Sequence, residues 1–418
     1  MSKKSTDPII RLLAILCPVV YFASYLTRKN YGIVMEAVIA SEGVTNAQAG
    51  LVETLALISY GAGQIISGVL GDKFKPQNVI LCGLSATSVC NLLMPFAPDM
   101  TFRAVIWFIN GFAQSMLWPP MVRIMAIYMD KQSYDDTCVN TNIFGISGTI
   151  FLYLTSSLVW LKFFGETGWK YTFFSSALIC LAILILWLLG FRSIRKRGGE
   201  RTKTPVENTQ QTADKPKLTV GRVMAAGFPF IALAIIMQGM LRDGVTDWVP
   251  TFIRNTFHIA SEHSILMAVI LPVIGVVSLK VIGIINRKFV KDEVRGAGFT
   301  FIISLACCAF LALFYQKNQW VTLGVSALVV GAMHAINFFL ICVVPLRFEK
   351  YGVVATMSGV INSLTYVGSA AALYGFGAIS DKWGWNACVA SWVVIAALGL
   401  ALCFIAVKPW KKFRDADV

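Results

Sequence analysis

Two arginines lie inside apolar stretches of the chain, at positions 28 and 242. A charge at the centre of a membrane span costs about 2.5–3.5 kcal/mol on insertion scales, so such a residue is a candidate for function. A guanidinium presents several donors in one plane to phosphate or carboxylate oxygens. A pair of them, Arg28 and Arg242, suits a divalent tetrahedral anion. The alternative is two separate structural ion pairs, in which Asp243 or Asp247 neutralises Arg242.

Three further ionisable residues interrupt apolar sequence. Lys280 either adds a third positive charge to the same site or extends its amine toward the nearby end of its span. Glu53 and His334 are candidates for carrying a coupling proton, since titratable groups within a membrane often serve in proton relays. The alternative for both is a packed, hydrogen-bonded side chain.

Aromatic residues in three of the apolar stretches, the first of which also contains Arg28, are either ligand contacts or core packing: Tyr21, Tyr25, Trp118 and Tyr366. A different pattern, Gly68-x-x-x-Asp72, ends the second stretch. Small residues let helices approach closely, and an aspartate can cap a neighbouring helix N-terminus. We assign a gating role to Gly68 and Asp72, and to Asp381, which follows Gly377 at the same spacing.

The elements that position these residues are membrane-spanning helices. Of the 418 residues 56% are hydrophobic and 14% are charged, whereas soluble domains carry about 25% charged residues. About 20 apolar residues cross a hydrocarbon core of about 30 Å. The sequence predicts an all-α integral membrane protein with twelve spans, at residues 12–39, 47–70, 77–97, 102–129, 136–163, 169–190, 222–254, 262–285, 296–315, 320–346, 353–380 and 386–407.

The net charge of +14 follows the predicted topology. Lys and Arg concentrate before the first span, in every second connection and after the last span. This positive-inside distribution places both termini in the cytoplasm. It also accounts for the excess of basic residues, which therefore does not indicate a nucleic-acid-binding surface. Short loops and the absence of an Asn-x-Ser/Thr sequon are consistent with a bacterial plasma membrane. The N-terminal apolar run ends without a cleavage site, so we interpret it as the first span and not as a signal peptide.

The predicted spans form two related halves. Arg28 and Arg242, and the pairs Gly168-Trp169 and Gly384-Trp385, recur after a nearly constant interval. A polar, basic stretch separates the halves, which predicts a six-helix bundle at 1–192, a cytoplasmic linker at 193–217 and a second bundle at 218–418. Parallel six-helix repeats are the plan of the major facilitator fold, with the substrate site between the halves.

At these residues the chain resembles the organophosphate:phosphate antiporters, which include the bacterial glycerol-3-phosphate and hexose-6-phosphate transporters. The matching segments are residues 25–30, 68–72, 118–120, 241–250 and 377–385. The resemblance implies that Arg28 and Arg242 hold a phosphate moiety. It also implies that Tyr21, Tyr25, Tyr366 and Trp118 line the cavity.

Two positions depart from the family pattern. Gln64 stands where the family usually has a lysine, and Gly145 stands where the glycerol-3-phosphate transporter has a histidine. Lys280 lies within one position of the counterpart of Gln64 in the other half. We therefore hypothesise that the positive charge has moved across the pseudo-symmetry axis, so that Gln64 and Lys280 both face the substrate.

The sequence thus predicts a monomeric secondary transporter, without cofactor or metal, for a small organic anion. The first interpretation is a phosphate ester exchanged for inorganic phosphate by alternating access, because an empty site holding two guanidinium groups is electrostatically unfavourable. Two alternatives stay open: a proton-coupled carrier of a carboxylate, phosphonate or sugar acid, and a membrane sensor of sugar phosphate. No nucleophile–base pair or nucleotide-binding loop indicates an enzyme.

Overall fold

The computed structural model describes residues 7–197, 218–289, 292–351 and 353–415, and within these ranges the regular structure is helical. The α-helices are α1 Pro8–Arg28, α2 Asn30–Glu42, α3 Asn46–Lys73, α4 Pro76–Leu93, α5 Met100–Ser115, α6 Trp118–Tyr128, α7 Lys131–Thr155, α8 Lys162–Phe164, α9 Trp169–Lys196, α10 Val220–Ala225, α11 Phe228–Phe257, α12 Ser261–Met267, α13 Ile270–Phe289, α14 Glu293–Phe314, α15 Gln319–Asn337 and α16 Val354–Asp415.

Several predicted spans are built from two consecutive helices. The first span is interrupted at Lys29, between α1 and α2, directly after Arg28. The fourth is interrupted before Trp118, where Pro119 and Pro120 occupy the first turn of α6. Proline is tolerated there because the N–H groups of a first helical turn have no partner within the helix. These breaks begin or end helices close to candidate site residues.

By length and composition, eight helical stretches of the described residues can cross a membrane. Two of them, Gln132–Lys196 and Gly359–Asp415, contain 65 and 57 residues, more than twice the roughly 20 that one crossing needs. The second is divided at Gly384, whose φ of 75° lies in the left-handed region. If these two stretches each cross twice, the eight account for ten crossings, and α3 and the pair α5 and α6 cover the other two predicted spans. The predicted all-helical fold class is confirmed.

The chain forms two compact units, Met1–Gly43 with Leu55–Glu207, and Val44–Thr54 with Asn208–Val418. The first unit has a core of fully buried residues from α1, α4, α6 and α9, including Leu84 and Met121. In the second unit α11 packs along α16, and the ring of Phe252 lies 5.6 Å from that of Trp392. Residues 198–217 of the predicted linker lie outside the described residues, so its role as a linker stays a prediction.

Candidate anion-binding site

Arg28 is the last residue of α1, and its guanidinium lies against two aromatic rings of the first unit. Its Cζ is 4.9 Å from the ring centroid of Tyr25 and 4.7 Å from that of Tyr60. A guanidinium within about 6 Å of an aromatic centroid gains about 0.5–2 kcal/mol. The two rings thus hold the Arg28 charge in a fixed place beside α3.

Three predicted aromatic residues form a continuous group next to Arg28. The ring of Tyr21 lies 5.2 Å from that of Tyr25 and 4.9 Å from that of Trp118. Tyr21 is buried, while Tyr25 and Trp118 are half-buried. The structure therefore brings these three predicted aromatic residues of the first unit together beside the positive charge of Arg28.

Gly145 on α7 lies directly against this aromatic group. A Cβ at this position would lie 2.8 Å from Cε2 of Tyr25 and 3.0 Å from Cδ1 of Tyr21. A larger side chain would have to displace the rings, because a separation below 3.0 Å is far inside van der Waals contact. The two tyrosines thus explain why a side chain such as histidine does not fit here.

Tyr60 belongs to the candidate site by its contact with Arg28, and the sequence analysis did not identify it. It is only 5% exposed and contacts Arg28. Its spacing from Gln64 could have identified it, because residues i and i+4 of a helix share a face and Tyr60 lies four residues before Gln64. Gln64 itself is half-buried on α3, so its predicted role in binding substrate stays a prediction.

Arg242 lies in the middle of α11, where its three guanidinium nitrogens contact two other side chains. Nε donates to Oδ1 of Asp243 at 3.0 Å and Nη2 donates to Oδ2 of Asp243 at 2.8 Å. Nη1 donates to Oδ1 of Asn337 on α15 at 3.0 Å. The ion-pair alternative is thus realised with Asp243 in this structure, and a ligand that binds Arg242 has to compete with that carboxylate.

The carboxylate of Asp243 is itself held from a third helix. Ser369 on α16 donates its hydroxyl to Oδ2 of Asp243 at 2.7 Å. The side chains of Arg242 and Asp243 are 16% and 13% exposed. Tyr366 is half-buried on α16, three residues before Ser369, and its predicted contact with substrate stays a prediction.

The two candidates for proton coupling lie in the second unit. His334 is half-buried, and its Nδ1 lies 2.9 Å from the carbonyl oxygen of Val330 on its own helix. Glu53 is buried near the start of α3. A further acid, Glu36 on α2, is equally buried and was missed, although it interrupts the apolar run of residues 31–40.

Of the three predicted gating residues, the structure describes the side chain of Asp381. Its carboxylate accepts hydrogen bonds from the backbone N–H groups of Asn46 and Ala47, the first two residues of α3. Gly68 and Asp72 on α3 and Lys280 on α13 lie outside the residues whose side-chain surroundings the structure describes, so their assigned roles stay predictions.

Long apolar helical spans that carry arginines in their interior, Arg28 within Pro8–Glu42 and Arg242 within Phe228–Phe257, define a multi-pass membrane protein of the transporter class. Residues 19–373 match the model of the Major Facilitator Superfamily, and the chain belongs to this superfamily.

Two relatives are similar over nearly their full lengths. A probable hexose phosphate transport protein of Chlamydia pneumoniae is 22% identical over 404 residues, covering 91% of this chain and 88% of the relative. A glycerol-3-phosphate transporter of Bacillus subtilis is 24% identical over 414 residues, covering 95% and 91%. The predicted resemblance to the organophosphate:phosphate antiporters is thereby confirmed.

Solved structures share the fold at lower sequence identity. A bacterial homolog of the human lysosomal transporter Spinster superposes with a TM-score of 0.79 at 14% identity, covering 98% of this chain and 99% of that chain. A D-xylose-proton symporter superposes with a TM-score of 0.72 at 13% identity, covering 96% and 98%. This similarity confirms the major facilitator fold.

Proposed function

We propose that this protein carries a phosphate ester across the plasma membrane by alternating access, with inorganic phosphate as the anion moved in the other direction. The observation that carries the proposal is the pair of repeat-related arginines, each held within its own unit by defined contacts. Arg28 lies between two tyrosine rings, and Arg242 presents its fork to a carboxylate. Relatives that transport hexose phosphate and glycerol-3-phosphate support the same substrate class.

The chemistry of the two arginines favours phosphate over a neutral sugar. A guanidinium forms charge-assisted hydrogen bonds with phosphate oxygens, frequently two in parallel, which adds geometric selectivity to the charge attraction. The carboxylate contact of Arg242 demonstrates that its fork is able to meet two oxygens at once. The rings beside Arg28 present apolar faces suited to the organic part of an ester.

The proposed orientation follows from the distribution of basic residues. Lys and Arg are concentrated in alternate connections, which supports cytoplasmic termini under the positive-inside rule. We also propose that the carrier is a monomer and that transport involves no enzymatic step.

Uptake by proteoliposomes tests the proposal. Purified protein is reconstituted into vesicles loaded with inorganic phosphate, and entry of labelled glycerol-3-phosphate, glucose-6-phosphate, lactate and glucose is measured. We expect uptake of at least one phosphate ester and none of lactate or glucose. Arg28→Lys and Arg242→Lys should each abolish this uptake, whereas Arg222→Lys, at an exposed position on α10, should leave it unchanged.

Two results would contradict the proposal. Uptake of lactate or glucose that exceeds uptake of every phosphate ester would show a different substrate class. Binding of phosphate esters in a thermal-shift assay without any flux would indicate a sensor.

A further inference from the structure

The fork of Arg242 is occupied by a group of the chain itself. Asp243 meets two of the guanidinium nitrogens at 3.0 and 2.8 Å, in the side-by-side geometry that a phosphate or carboxylate ligand would adopt. The residue that binds an anion in the proposed function therefore already holds one.

This arrangement is built from three helices. Asp243 follows Arg242 on α11, Ser369 on α16 donates to Asp243 at 2.7 Å, and Asn337 on α15 accepts from Arg242 at 3.0 Å. Adjacent residues of a helix do not normally face each other. The long stem of Arg242 brings its fork to the neighbouring carboxylate, and the two outer helices fix both groups.

The pair changes the energetics of the carrier without substrate. A guanidinium enclosed among helices of a membrane protein is costly when no opposite charge accompanies it. With Asp243 in its fork, the Arg242 site is electrically compensated whether or not phosphate is bound. Without Asp243, the fork of Arg242 would lose the carboxylate that occupies it, and bound phosphate would supply a negative charge at the same place.

We infer that Asp243 is a built-in counter-anion that allows the carrier to reorient without substrate, so that the protein catalyses net transport as well as exchange. Asp243 acts through Arg242 and is therefore a positioning residue that sets the transport mode. Substrate displaces its carboxylate from the fork, and the carboxylate returns when substrate leaves. This inference rests on the proposed function, because it concerns the same arginine and the same phosphate substrate.

The test compares two rates in one assay at fixed pH, with the membrane potential clamped. Vesicles are prepared either loaded with inorganic phosphate or without any internal anionic substrate, and labelled phosphate is supplied outside. Uptake into empty vesicles requires the carrier to reorient without bound substrate, whereas exchange does not. The ratio of uptake into empty vesicles to uptake into loaded vesicles therefore measures how readily the substrate-free carrier reorients. Both rates are measured on the same variant, so a loss of folded protein lowers them by the same factor and leaves their ratio unchanged.

For the unmodified protein we expect substantial uptake into empty vesicles. In Asp243→Asn this uptake should fall at least about tenfold relative to exchange, which corresponds to a barrier increase of about 1.4 kcal/mol. Exchange itself should persist, because bound phosphate then supplies the missing negative charge.

A carboxylate placed at position 337 should restore the function that Asp243→Asn loses. Asn337 contacts the third nitrogen of the Arg242 fork, so the double variant Asp243→Asn, Asn337→Asp restores a negative charge from a different helix. We expect it to recover uptake into empty vesicles. Asp247→Asn, which removes a carboxylate one turn further along α11, serves as the matched control and should keep the original ratio.

Three results would overturn the inference. The first is exchange without net uptake by the unmodified protein. The second is an Asp243→Asn variant whose two rates change by the same factor, or a double variant that does not recover. The third is an Asp247→Asn variant that lowers the ratio as strongly. Absence of any phosphate movement into loaded vesicles by the unmodified protein would instead contradict the proposed function.

Discussion

Asp381 accepts a hydrogen bond from the backbone N–H of Ala47 at 2.7 Å, and its second carboxylate oxygen accepts from Asn46 at 3.1 Å. A side chain of α16 therefore caps the N-terminus of α3. The first N–H groups of a helix have no partner within the helix, and a negative charge there also compensates the helix dipole. Ser380 strengthens the contact by accepting from Nδ2 of Asn46 at 3.1 Å.

Removal of this cap should destabilise the protein. Replacement of a helix-capping side chain by alanine typically costs about 1 kcal/mol, so Asp381→Ala should lower the thermal unfolding temperature of the detergent-solubilised protein. Asp381→Asn retains an acceptor oxygen and should lose less. If Asp381→Ala unfolds at the same temperature as the unmodified protein, the contact does not stabilise the structure.

The ring of Tyr60 should contribute to substrate affinity through Arg28. Tyr60→Phe keeps an aromatic face over the guanidinium and should change the apparent affinity for inorganic phosphate less than about threefold, since the hydroxyl is not part of the cation–π contact. Tyr60→Leu removes that face and should weaken affinity by more. The measurement is the concentration dependence of phosphate uptake into loaded vesicles. Equal affinities for the two variants would show that the ring face is not needed.

A side chain at position 145 should disturb the aromatic group. Gly145→Ala would place a Cβ within 3.0 Å of the Tyr21 and Tyr25 rings, so the rings must move away from their contacts with Arg28 and Trp118. We expect phosphate exchange to fall by at least about tenfold, equivalent to about 1.4 kcal/mol. Gly324→Ala is the control, because a Cβ there meets no atom within 4 Å. Similar losses in both variants would indicate a general intolerance of helix substitutions.

The departure at Gln64 yields a charge-relocation test. The sequence suggests that Lys280 replaces the lysine that related transporters carry at the position of Gln64. The double variant Gln64→Lys, Lys280→Gln should then retain phosphate exchange, because the total charge of the site is unchanged. Lys280→Gln alone should reduce exchange strongly. A double variant as inactive as Lys280→Gln would contradict this hypothesis.

The fold and half of the site followed from local sequence properties. Apolar runs predicted the spans, because about 20 apolar residues are needed to cross the hydrocarbon core. Basic loops predicted the orientation of the spans, because cytoplasmic loops carry an excess of Lys and Arg. Tyr21, Tyr25 and Arg28 were predicted from the sequence of one span and from the family resemblance, and their spacing of four and three residues places them on one face of a helix. The position of Trp118 beside them required the packing of α6 against α1.

The surroundings of Arg242 could not be predicted in the same way. Asp243 and Asp247 lie one and five residues from Arg242, and helical geometry favours pairs three or four residues apart, so it predicts neither as the partner. Tertiary contacts decided otherwise, because Asn337 and Ser369 hold the fork and the carboxylate from helices distant in sequence. Such contacts have no local signature.

The change of chain direction at Gly384 provides a site for determining the membrane topology of this protein. Its φ of 75° turns the chain between two crossings at a single residue, and a Cβ built there would meet no atom within 4 Å. The position is therefore restricted by backbone conformation and not by crowding. An epitope or fluorophore-binding tag inserted beside Gly384, with the glycine retained, would report which side of the bilayer this reversal occupies without lengthening either flanking helix.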